Sequence, residues 1–117
     1  MRDFRNFDFW TASKDLTKEI YGLLKNYPAE ERFALCDQIR RAVVSIPSNI
    51  AEGAGRGSDL DFCHFMDIAL GSCYEVETQI EISCDLNYIT KEQKDNIVNK
   101  LHSIERRLTA FICKLRK

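Results

Sequence analysis

The sequence predicts an all-α protein: one domain over residues 1–117, folded as an antiparallel, up-down-up-down bundle of four helices. Three observations carry this reading. Apolar residues return at three- and four-residue steps through nearly the whole chain, the period of a helix with one buried face. Only two prolines occur, and glycine is scarce outside residues 53–57. The interruptions between periodic stretches are short, and short connections make consecutive helices antiparallel neighbours.

The first helix is expected over roughly 8–26, with Trp10, Leu16, Ile20, Leu23, Leu24 and Tyr27 as its buried stripe. Pro28 stops it and suits the start of the next. The second runs over roughly 29–54 on Phe33, Leu35, Ile39, Ala42, Val43, Ile46, Ile50 and Ala51. Pro47 lies inside it, and because the apolar period continues on both sides, a bend near Val43–Ser45 is expected rather than a break. "GAGRG" at 53–57 ends this helix, since glycine tolerates the left-handed conformation of a C-terminal cap. Ser58, with Asp61 three residues on, reads as the N-cap of a third helix over roughly 58–86. Thr90 and Gln93 form a capping box that opens a fourth over roughly 90–115, on Ile97, Leu101, Ile104, Leu108, Phe111, Ile112 and Leu115.

The totals exclude several classes. No run approaches the ~18 apolar residues of a membrane span, and "MRDFRNFDFW" lacks the apolar core of a signal peptide. Five cysteines without a C-x-x-C pair read as reduced, buried thiols in a cytoplasmic protein. Charge is uneven. Residues 58–90 hold seven acids and no Lys or Arg, whereas residues 91–117 hold eight bases and three acids.

The third helix carries two apolar stripes. Phe62, Phe65, Met66, Ala69, Cys73, Val76 and Ile80 form one; Cys63, Leu70 and Tyr74 form the other. A helix apolar on two sides packs on two sides, so a subunit interface is expected, with a wide intramolecular contact as the alternative. On the fourth helix Lys100, Arg107 and Lys114 repeat every seven residues opposite the apolar stripe, with Arg106 and Lys117 nearby. Such a row can bind phosphates, stay solvated, or meet the acidic third helix of another copy. Arg56, at the start of the third helix, is a further candidate anion contact.

A polar stripe crosses the second helix: Gln38, Arg41, Ser45, Ser48 or Asn49, and Glu52. Ser72, Glu75 and Gln79 match it on the third. Folding the two helices about Arg56 predicts a pair between Arg41, or its neighbour Arg40, and Glu75, with Asn49 and Glu52 bonded near the turn. Catalysis is not expected, because no His stands beside a Ser or Cys in a triad-like context. Asp61 and His64 have metal-ligand spacing, but a di-metal bundle needs two such motifs, so neither metal nor cofactor is expected.

"EERFALCDQIRRAVVSIPSNIAEGAGRGS" at 30–58 closely resembles the signature of the 23S rRNA-intervening sequence proteins: E-R-F-G-L, then Q-I-R-R-A, S-I-P-S-N-I-A-E-G and a Gly-Arg turn. "DFCHFMDIALGSCYEVETQI" at 61–80 is similar to the family's E-F-x-x-F-L-x-I-A-x-G-S-x-x-E-x-x-T-Q, and Trp10 and Ala12 fit its W-x-x-A start with Ala12 one place early. The resemblance implies a bacterial four-helix bundle assembled as a ring-like homopentamer. It implies RNA or a nucleic-acid enzyme as a partner, since one branch of the family accompanies reverse transcriptases. It carries no catalytic residue. Gln38, Arg40, Arg41, Ser45, Asn49, Glu52, Gly53, Gly71, Ser72, Glu75 and Gln79 match motif positions and are read as structural or assembly residues. Family members often carry lysines after the Gly-Arg turn. Gly57, Asp59 and Asp61 stand there instead, which leaves phosphate contacts to Arg56, Lys100, Arg106, Arg107, Lys114 and Lys117.

Overall fold

The computed structural model describes residues 2–117, and among them helices occupy nearly all of the chain with no strand. Four α-helices form: α1 (Asp8–Leu24), α2 (Leu35–Ala54), α3 (Asp59–Asp85) and α4 (Lys91–Leu115), with short 3-10 turns at Phe4–Asn6 and Ala29–Glu31. The longest, α3, has 27 residues, or about 40 Å at the helical rise. That accounts for the long dimension of the molecule, 44 × 24 × 19 Å. Both anticipated caps are made. The Asp61 amide donates to Ser58 Oγ at 3.1 Å. At α4 the Gln93 amide donates to Thr90 Oγ1 at 3.1 Å and the Thr90 amide to Gln93 Oε1 at 2.9 Å.

Three local expectations fail, each for a physical reason. First, α2 starts at Leu35, because Ala34 (φ −117°, ψ −102°) leaves helical geometry and breaks the period upstream. Phe33, placed in the core by that period, is 85% exposed. Second, Phe9 rather than Trp10 fills the core at the start of α1; Trp10 lies half-buried, edge-on to Phe4 at 4.9 Å. Third, no glycine among the described residues has a positive φ, and Gly55 caps α2 in right-handed geometry at φ −83°. The left-handed residue is Asn87 (φ 63°), in the α3–α4 turn. Glycine is needed at Gly53 for closeness instead: a Cβ there would lie 2.8 Å from Phe62 Cδ1 and 2.8 Å from the Phe65 Cβ.

One core joins all four helices, with Leu16, Ile20, Ile39, Ile46, Ile50, Met66, Ile80, Leu101, Ile104 and Leu108 almost wholly buried. An aromatic cluster closes one end of it. Phe7 and Phe9 stack at 5.0 Å, and Phe111 lies 5.0 Å from Phe7 and 5.5 Å from Phe62. The Arg2 amide bonds the Ala54 carbonyl, and its guanidinium pairs with Asp59 at 2.7 Å over the Phe62 ring. No described helix is long and apolar enough to cross a membrane.

The helix runs through Pro47, as the continuous period predicts. Proline has no N–H, so the carbonyl four residues back loses its helical partner. That carbonyl belongs to Val43, and the Thr17 hydroxyl of α1, shared with the Ser13 carbonyl, reaches it at 3.3 Å. Thr17→Val should therefore cost about 1 kcal/mol, read as a lower urea midpoint at unchanged slope, whereas Thr17→Ser should retain wild-type stability.

Candidate functional site

The polar stripes of α2 and α3 do meet, through hydroxyls and amides rather than through an ion pair. The Ser45 and Ser72 hydroxyls lie 2.5 Å apart. Asn49 Nδ2 donates to the Ser45 carbonyl at 2.8 Å and to Ser45 Oγ at 3.1 Å. Further along α3, Gln79 Nε2 donates to Glu75 at 3.3 Å, and the Ser83 hydroxyl to the Gln79 carbonyl at 2.8 Å. Glu52 pairs with Arg56 across the helix end at 3.2 Å, as its place near the turn suggests.

The pair expected between Arg40 or Arg41 and Glu75 does not form. Arg40 turns back to the Arg32 carbonyl, left free where α2 has not yet begun, and to Asp37. Arg41 and Gln38 point outward. Gly71 is exposed, and a Cβ there would meet nothing within 4 Å.

The second apolar stripe of α3 is largely absorbed within the chain: Cys63 is buried and Leu70 packs against the core. Only Tyr74 of that stripe stays exposed. Other exposed apolar surface lies on the same helix at Leu60, Ile68 and Ile82, and at its cap Leu86.

On α4 the heptad spacing does not place the cations opposite the core. Lys100 and Arg107 flank the seam with α1, where Glu19 holds Lys100 at 2.6 Å and Asp8 holds Arg107 at 3.3 Å. Of the six candidate phosphate contacts, Arg106, Lys114 and Lys117 have no acidic partner among the described residues.

All five cysteines are free thiols; Cys36, Cys63 and Cys73 are buried as expected, Cys84 is half-buried and Cys113 is exposed. Burial, then the nearby Glu105 and Glu77, push the Cys73 thiol up to about 12.

A cluster with little trace in the sequence lies across α3 and α4. His102 Nε2 sits 3.2 Å from Glu77 Oε2. One donor atom each of Glu77, His102 and Glu105 lies within 4.8 Å of the others. Burial first, then the Glu77 carboxylate that faces it, push Glu105 up to about 7, against the pull of His102 and Arg106. The only signal in the chain is "HSIE" at 102–105, a His and a carboxylate three apart on one helical face. Its third member, 25 residues upstream, becomes visible only when the helices pack.

The raised Glu105 has a consequence for stability. Between its unfolded value of 4.5 and its folded value of about 7, the native state holds a proton that the unfolded chain has released. Stability should therefore fall as pH rises through that window and level off above it. Urea titrations in a chelating buffer should show this slope in the wild type and a flatter one in Glu105→Gln.

The fold and these sites define an all-α four-helix bundle protein, some of whose polar residues tie one helix to the next. Residues 5–110 match the family described as 23S rRNA-intervening sequence protein, and the chain belongs to that family. The structure is similar to a crystal structure of a protein of unknown function from the S23 ribosomal protein family of Bacteroides thetaiotaomicron. The two share 31% sequence identity and a TM-score of 0.82, over 89% of this chain and 94% of that one. No curated protein matches the chain.

Proposed function

We propose that the chain is a non-enzymatic bundle of antiparallel, up-down-up-down helices that self-associates in the cytoplasm as a scaffold. Contacts between Ser45 and Ser72, Gly53 and Phe62, Glu19 and Lys100, and Asp8 and Arg107 support the antiparallel order. In each pair of helices, residues further along one touch residues further back on the other.

The observation that carries self-association is the exposed apolar surface of α3. Leu60 (82%), Tyr74 (54%), Ile82 and Leu86 remain open to solvent although α2 and α4 already cover other sides of that helix. Side chains of this size, gathered on one element, mark an interaction surface. Light scattering on a sizing column tests it. The expected mass is that of five chains, the assembly the family resemblance implies, and Ile82→Asp should lower it. A monomeric wild type would overturn the proposal.

RNA, or an enzyme acting on nucleic acid, is the second reading. It is favoured by the unpaired Arg106, Lys114 and Lys117, while the pairing of Arg56, Lys100 and Arg107 removes three of the six candidate cations. Nucleic acid should co-elute with protein purified without nuclease. Its affinity should fall by about 0.7 of a log unit per phosphate contact for each tenfold rise in salt, and the slope should flatten when those three residues are replaced by alanine. A clean oligomer with no affinity for RNA at low salt would leave the purely structural scaffold.

A further inference from the structure

We propose that Glu77, His102 and Glu105 bind a divalent transition-metal ion of the zinc type across the α3/α4 seam. The proposal does not depend on the self-association reading.

The donor set is right in kind and number. An imidazole nitrogen and two carboxylates suit a transition metal, whereas Mg²⁺ and Ca²⁺ prefer oxygen alone. Zinc sites that keep an open position use three protein ligands. Here α4 supplies two donors three residues apart on one face, and α3 supplies the third from across the seam. Ligands around a tetrahedral zinc at ordinary bond lengths sit about 3.3 Å from one another. Glu77 Oε2 and His102 Nε2 are already 3.2 Å apart. The 4.8 Å limit on the remaining separations lies within reach of modest side-chain rotation. A shallow opening lined by Tyr74, Thr78 and Glu81 gives an ion and its water a way in.

A second, independent observation points to a cation. Glu105 Oε2 is shielded from solvent and no donor group reaches it. No Lys or Arg among the described residues forms a salt bridge with Glu77 or Glu105. A buried carboxylate oxygen with no donor is costly unless a proton or a cation reaches it, and two facing carboxylates with one imidazole are short of positive charge. A bound divalent ion would remove both defects.

The test is titration of the full chain, kept reduced, with Co²⁺ as a spectroscopic stand-in for Zn²⁺. A single ion per chain with visible d–d bands is expected, and Zn²⁺ should displace it. Glu105→Gln and His102→Ala should each weaken binding at least ~10-fold, about 1.4 kcal/mol. Zn²⁺ should raise the Tm of the wild type by more than that of these variants. Circular dichroism confirms that each variant is helical, and Glu77→Gln replaces any that is not. Absence of d–d bands at millimolar Co²⁺, or variants that bind as the wild type does, would overturn the proposal. So would a thiolate charge-transfer band that vanishes in Cys113→Ser, because the ion would then sit on the exposed thiol.

Discussion

Gly53→Val should lower the unfolding free energy by about 3 kcal/mol, near the upper end of what overpacking costs. The reason is the neighbour. A Cβ at this position would lie 2.8 Å from Phe62 Cδ1, which can rotate, but also 2.8 Å from the Phe65 Cβ, which is fixed to its backbone. The α2 and α3 backbones must separate, and the Ser45–Ser72 contact along the same seam would lengthen with them. Gly53→Ala should cost less, because alanine recovers about 1 kcal/mol of helix propensity. Gly22 provides the control: it lies within α1, and a Cβ there meets nothing within 4 Å. Gly22→Ala should therefore stabilise, by up to ~1 kcal/mol. Urea unfolding of the three variants checks the sign as well as the size, and a Gly53→Val protein as stable as the wild type would show that the seam is not tight.

Phe62→Ala should be costlier still, at about 3–5 kcal/mol, the range for truncating a buried aromatic ring. Phe62 is 1% exposed. It contacts the face opened by Gly53, lies 5.5 Å from the Phe111 ring, and carries the Arg2 guanidinium at 5.2 Å above its own. Its loss would leave a void at the point where α2, α3, α4 and the N-terminal turn converge. Thermal unfolding should shift by roughly 10–20 °C for a chain of this size. Phe33→Ala is the matched control, since its ring is 85% exposed. It should move stability by no more than about 0.5 kcal/mol.

Helix number, most helix bounds and the two side-chain caps were legible in the sequence because each rests on neighbours in the chain. The Thr90–Gln93 box and the Ser58 cap need only three residues of spacing. Failures arose where a local pattern met a tertiary one. Phe33 follows the period of α2, but Ala34 breaks the helix before that period applies. Glycines at 53–57 read as a left-handed cap, whereas what the fold demands is the absence of a side chain between two backbones. The polar stripe was legible as a stripe, and Ser45 and Ser72 met. Its ion pair was not, because the Arg32 carbonyl that draws Arg40 away is freed only by the irregular turn. Lys100 and Arg107 read as members of one cationic row, open to phosphate, to solvent or to another copy. Their partners Glu19 and Asp8 stand on α1, some eighty to a hundred residues earlier, beyond the reach of any periodicity. The Glu77–His102–Glu105 cluster was hidden for the same reason.

The aromatic cluster also sets an order of events, because its members stand so far apart along the chain. Gly53 and Phe62 meet across a short turn, whereas Phe7 and Phe111 are 104 positions apart. Closing the longer loop costs about 2 kcal/mol more in chain entropy. The α2–α3 pair is then the natural nucleus, and the ring cluster the last part to assemble. Chevron kinetics would separate the two: Gly53→Ala should mainly slow refolding, and Phe111→Ala should mainly accelerate unfolding. The molecule's resistance to transient opening, and so to proteolysis, would reside in a cluster that contributes little to how fast it folds.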